Sequence, residues 1–106
     1  MDRVMLPGAQ HNANVSLKLS VPGLACTAEV FLSADGGATK VATSGQVAFT
    51  ATGSQQTVIC PVTMPQVGGI FYAYLDIAGG GVVLDQFADE ANRILVPVVS
   101  NVEITW

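Results

Sequence analysis

Apolar and polar residues alternate along most of this chain, and a period of two dictates pleated strands with one buried face. From Asn14 to Val21, the residues Val15, Leu17, Leu19 and Val21 fall on one side and Ser16, Lys18 and Ser20 on the other, until Pro22-Gly23 ends the run. Cys26 to Ser33 repeats the pattern. Cys26, Ala28, Val30 and Leu32 face in, Thr27, Glu29, Phe31 and Ser33 face out, and Asp35-Gly36-Gly37 follows as a hairpin-type turn. Lys40 to Thr43 is expected to form a short edge strand and Gln46 to Thr52 another alternating one. Thr57 to Met64 presents Val58, Cys60, Val62 and Met64 on one side, with Pro61 marking an edge or a bulge. Ile70 to Ile77 is apolar on both faces, the mark of a central strand. Gly79-Gly80-Gly81 turns the chain so that Val82 to Leu84 pairs back.

Two stretches are less regular. Leu84, Phe87, Ala88, Ala91 and Leu95 also fit a helical stripe, and residues 84–95 are expected to be a loop with at most a single turn. Val96 to Trp106 is expected to close the domain, anchored by Val98, Val102, Ile104 and Trp106. Residues 1–13 lack periodicity and read as an N-terminal arm or a short edge strand, leaving 14–106 as the folded domain. Short strands at intervals of about ten residues, with no βαβ unit, specify an all-β sandwich or barrel.

The composition bounds the function. Half of the residues are hydrophobic and 11% are charged, less than half the usual charged share. A net charge of -4 with four scattered bases gives no basic stripe for nucleic acid and no attraction to an anionic membrane surface. No run reaches the ~18 apolar residues of a membrane span, and Val4-Met5-Leu6 before Pro7-Gly8 is too short for the apolar core of a signal peptide.

Catalytic chemistry has few materials. His11 is the only histidine and is expected in a solvated loop. No Gly-x-Ser-x-Gly elbow is present, and neither glycine cluster precedes a Lys-Ser/Thr helix start, so nucleophilic and P-loop chemistries lack their frames. The chain is therefore expected not to be an enzyme and to carry no cofactor. Asp76, Asp85, Asp89 and Glu90 are the only candidates for an oxygen-rich calcium site, if the Asp76 strand and the Asp85 loop meet at one end of the domain. Their spacing matches no calcium loop, and ordinary solvated acids are the expectation. Cys26 and Cys60 share parity with buried positions. Two readings stay open, an inter-strand disulfide worth roughly 3–4 kcal/mol and a pair of buried free thiols. Asn14-Val15-Ser16 matches the N-glycosylation pattern.

Several of these stretches also carry a resemblance. They are Ala28-Glu29-Val30-Phe31-Leu32-Ser33 before the Asp-Gly-Gly turn, Ala51 to Val58, Gly69 to Asp76, and Leu84 to Asn92. In order and spacing they resemble the immunoglobulin-like sandwiches of bacterial and archaeal surface proteins, in particular the CARDB-type adhesion modules. The resemblance implies an immunoglobulin-like antiparallel β-sandwich of seven to eight strands and a role in adhesion or as a spacer, in tandem domains of an extracellular chain.

Edge strands defend themselves with lysine, proline and inward charges, and here only Lys18, Lys40, Pro61 and Pro97 are at hand. The expected function is a non-catalytic interaction module that associates with itself or with neighbouring domains, on a cell surface, in a fibre or on a virion. Val4, Met5 and Leu6 of the arm are its candidate assembly contacts. The alternative is a carbohydrate-binding accessory domain, which requires Tyr72, Tyr74 or Trp106 to lie exposed in a row.

Overall fold

The computed structural model describes residues 1–106 and contains strands and turns without a helix. The strands are β1 (Asp2–Val4), β2 (Gln10–Leu17), β3 (Ala25–Ser33), β4 (Ala42–Thr43), β5 (Val47–Thr50), β6 (Gln56–Thr63), β7 (Gly69–Gly79) and β8 (Val82–Val96). A six-stranded sheet runs in the order β1-β8-β7-β3-β4, with β5 also on β3, and a two-stranded sheet pairs β2 with β6. All pairings are antiparallel except β1 with β8, which is parallel.

The alternation in the sequence builds the core. Ala28, Val30 and Leu32 of β3, Phe71 and Ile77 of β7, and Ile94 and Val96 of β8 supply one wall. Val15 of β2 and Val58, Cys60 and Val62 of β6 supply the other, with Met64 just beyond β6. Each valine, leucine, isoleucine, phenylalanine or methionine side chain buried this way contributes about 1.5–3 kcal/mol by leaving water, and the smaller Ala28 and Cys60 less. The small sheet lies over one side of the large one, because β6 touches β3, β4 and β5. Two strands cannot cover six. Only 16 of 106 residues are buried, and on β8 every side chain from Val82 to Ala91 is exposed.

Strand β8 corrects the expected loop at 84–95. Phe87 pairs with Leu75 and Asp89 with Ala73, yet Ile94 pairs with Phe71. Between these pairs one residue of β7, Tyr72, therefore stands opposite four of β8, and the surplus forms a bulge at residues 90–93. Across the bulge the core-facing positions change from odd numbers to even ones, and this slip imitates helical spacing in the sequence. A second bulge between Ile77 and Ala78 displaces Leu84. At the hairpin tip Gly80 and Gly81 take φ of 60° and 79°, the left-handed pair that a two-residue I′ turn requires.

The N-terminal residues take the short-edge-strand form of the two expected, and the C-terminal ones depart from expectation. β1 is absorbed into its own chain's sheet, and Met5 packs against the core while Val4 and Leu6 stay exposed. Residues 97–106 form no strand and close nothing: all of them are exposed, Trp106 included. Nor does the second strand run to Val21. It ends at Leu17, and Val21 is exposed. The radius of gyration, 16.4 Å, exceeds the ~13 Å of a compact domain of this length, and the long axis measures 67 Å.

Candidate interaction surface

The mismatch between the sheets leaves a groove. β6 covers the β3–β4–β5 side, and β2 borders a hollow that it shares with β7 and β8. Ala13, Val15 and Ser16 of β2 form one bank, Val30, Ala73 and Leu75 the floor, and Phe87, Ala88 and Asp89 of β8 the other bank. The hollow is open to solvent and measures about 310 Å³.

Both banks are strand edges without a partner. β2 pairs with β6 alone, so the alternate N–H and C=O groups on its other edge face the groove side unpaired. β8 pairs with β7 along its length, but β1 guards its outer edge only from Arg93 to Leu95. Met1 extends that cover slightly, donating its ammonium to the Ala91 carbonyl at 2.7 Å and accepting from the Arg93 N–H at 3.1 Å. From Val82 to Glu90 the edge is open. Phe87 stands there 52% exposed, flanked in alternation by Asp85 and Asp89, charges of the kind that discourage indiscriminate strand pairing.

The four acids weighed for calcium do not converge. Asp76 lies opposite Gln86 and accepts its amide at 3.0 Å, whereas Asp85 lies opposite Ile77, on the other face of the sheet. Asp89 accepts from the Asn92 amide at 3.1 Å within the bulge. Glu90 alternates with Asp89 and lines a different hollow with Asp76, and nowhere do three acidic, histidine or cysteine side chains gather. Strand alternation is the physical reason: residues one apart in number point to opposite faces.

Of the two readings of the cysteines, the structure has free thiols in place of the disulfide. Cys26 donates to the Leu24 carbonyl at 3.5 Å and Cys60 to the Ala28 carbonyl at 3.9 Å, each turned to backbone in the larger sheet or beside it. Burial pushes the Cys60 thiol up, against a smaller opposite pull from Ser44. His11, expected in a loop, stands exposed on β2 opposite Val62. Asn14 is exposed on the same strand, while Ser16 accepts a hydrogen bond from Gln55 at 2.7 Å.

The three rings proposed for sugar do not form a row. Tyr72 and Tyr74 are half-buried neighbours on β7, and Trp106 stands apart on the terminal segment. Tyr74 stacks on Phe31 with centroids 5.5 Å apart, and the Lys40 ammonium sits 4.7 Å from the Phe31 centroid. These contacts bury Phe31, which the alternation had put on the outer face. Lys40 also binds Glu29 at 2.9 Å. Burial would raise the Glu29 carboxyl, but hydrogen bonds from Thr43 and Lys40 outweigh it and hold the group below its ordinary value.

Sequence reasoning overlooked the banks of this groove. The signal was Phe87 between two acids in alternation, an apolar residue with guards on either side. No family model, curated protein or solved structure matches the chain.

Proposed function

We propose that this protein is a non-catalytic structural module of the immunoglobulin-like class that works by associating with copies of itself or with neighbouring domains, in a cell-surface, fibre or virion assembly. The observation that carries the reading is the open edge of β8 from Val82 to Glu90, with exposed Val82, Val83, Leu84 and Phe87 along it. A long edge with exposed apolar side chains is a template for another chain. Asp85 and Asp89 on the same edge restrict which strand it accepts.

The strand order supports the immunoglobulin-like part. β2 beside β6 in one layer and β8-β7-β3 adjacent in the other are the neighbours expected of strands B and E and of strands G, F and C in that fold. The adhesion or spacer role implied by the CARDB-type resemblance agrees with such a module. A glycan-binding role retains only the hollow beside Tyr74 and Phe31, lined also by Asp76, Gln86 and Glu90.

Light scattering on the native protein from micromolar to millimolar concentration tests the reading. Mass that rises above the 10.9 kDa monomer supports it. A monomer throughout that range overturns it.

A further inference from the structure

The geometry points to a specific occupant for the groove: the segment Val102–Trp106 of a second copy of this chain, added as a strand against the free edge of β2. The inference rests on the associating role proposed above and names the contact that would produce it.

The segment has the chemistry of a strand that lacks its sheet. Val102-Glu103-Ile104-Thr105-Trp106 alternates strictly, with three apolar side chains on one side and two polar ones on the other. In its own chain none of the three apolar residues is covered: Val102 is 69% exposed, Ile104 75% and Trp106 more so. Elsewhere in this molecule the same alternation is spent on burial, as Val58, Cys60 and Val62 illustrate. A segment patterned for a buried face and a groove floored by Val30 and Leu75 are complementary surfaces within one sequence.

The backbone offers the matching half. β2 presents an unpaired edge over Gln10–Leu17, and a five-residue strand at about 3.3 Å per residue fits within it. Side chains at 102, 104 and 106 repeat at the spacing of Ala13, Val15 and Leu17, the inward row of β2. Strand addition of this kind takes its affinity from main-chain hydrogen bonds and its selectivity from alternate side-chain sites. Every backbone group gained by β2 is one that its own fold leaves unpaired.

The occupant is assigned to another copy because in its own chain the segment is bare and contributes nothing to the groove lining. Val96 pairs with Gly69, at the end of the sheet where β2 begins opposite Thr63. Beyond it, the Pro97 carbonyl and the Val98 side chain lie directly against Gly68, where no Cβ would fit, so the exit path is fixed. Asn101 then takes φ of 55°, a left-handed bend that asparagine tolerates, and Val102–Trp106 beyond it stay exposed.

Trp106 is the only tryptophan, so its emission reports the docking directly. Mass by light scattering and tryptophan emission are followed together across concentration for the full chain and for the full-length double variant Val102→Asp/Ile104→Asp. Those two side chains have no cover in their own domain, so the variant keeps its fold, which circular dichroism verifies. The proposal predicts that emission shifts to the blue in step with rising mass and that the variant needs about a hundredfold higher concentration to assemble. Rising mass with a solvent-exposed tryptophan and an unaffected variant overturns the docked segment and leaves the associating role standing, with β8 edges meeting one another as the remaining contact. A blue shift without rising mass means that the segment docks in its own groove and overturns the exchange. A monomer with exposed tryptophan at every concentration overturns both readings.

Discussion

Arg93 grips Asp2 through two parallel hydrogen bonds, Nε to Oδ1 at 2.8 Å and Nη2 to Oδ2 at 2.7 Å, across 91 positions of sequence. The pair sits at the bulge of β8 and locks β1 beside it, and the contact holds the Asp2 carboxyl below its ordinary value. Both groups are accessible, so salt and water screen the attraction and its share of global stability is small. Its effect is local. Asp2→Ala is expected to leave the melting temperature nearly unchanged while the Met5 and Arg93 amides, which bond the Leu95 and Met1 carbonyls, exchange with solvent faster. Hydrogen-exchange NMR checks this; unchanged protection at both amides would mean that β1 holds without the ion pair.

A second expectation concerns the thiols. Both cysteines are buried and unbridged. A reductant should therefore leave the melting temperature where it is, and a thiol reagent should modify Cys60 only as the domain unfolds, since burial both shields the sulfur and disfavours its thiolate. Rapid native labelling of Cys60, or a drop in melting temperature with dithiothreitol, would contradict this packing.

The turn after β3 makes stability depend on acid. The Ser33 hydroxyl, itself wholly buried, donates to Asp35 and accepts from the Gly37 N–H at 3.1 Å. The Thr39 N–H donates to the same carboxylate at 2.8 Å. Ser33 first, then Thr39, bring the Asp35 carboxyl from 3.8 down to about 2. The folded value lies below the unfolded one, so the stabilisation is complete above about 4 and is lost as the pH falls towards about 2. Asp2 and Glu29 shift in the same direction. Urea unfolding between pH 5 and pH 2 should show a falling midpoint, and Asp35→Asn should flatten part of that slope (pH values of about 2 to about 5 bracket the shift). An unchanged slope in the variant would assign the acid sensitivity elsewhere.

The hairpin tip separates backbone strain from packing. Nothing lies within 4 Å of where a Cβ would stand at Gly80 or Gly81, so only conformation opposes a substitution. Gly80→Asn keeps a residue that accepts a left-handed backbone and should be nearly neutral. Gly81→Val should cost about 1–2 kcal/mol, because a β-branched side chain resists that conformation. Thermal unfolding of the two variants gives the comparison, and equal effects would exclude the I′ turn.

What the sequence makes legible is where alternation holds without a slip. β3, β6 and β7 emerge within a residue or two of their expected bounds, and Cys26, Ala28, Val30 and Leu32 point inward as parity requires. Parity fails at residues 90–93, because a bulge moves the buried set from odd to even positions and a one-dimensional pattern registers this as a helix. Phe31 escapes the rule for another reason: Tyr74 and Lys40 cover it from outside the sandwich, a contact between strands that no local spacing encodes. The C-terminus misleads most. Three residues of β1 carry no period, yet they pair, and Val102–Trp106 has a clear one, yet it stays bare. Alternation states that a segment is built for a sheet; it does not state whose.

Phe87 provides the last expectation, on the edge itself. It is half-exposed on the open side of β8, between Asp85 and Asp89. Lysine at such a position disfavours strand addition through charge and keeps its stem along the apolar surface. Phe87→Lys should cost about 1 kcal/mol, the share of the ring that is buried beside Leu75. In return it should raise the concentration at which mass begins to grow. Asp89→Val acts the other way, since it removes a guard and adds a β-former, and it should bring self-association to lower concentration. The two variants bracket the wild type in a light-scattering titration. If neither moves the onset, the open edge of β8 takes no part in association, whatever else the molecule binds.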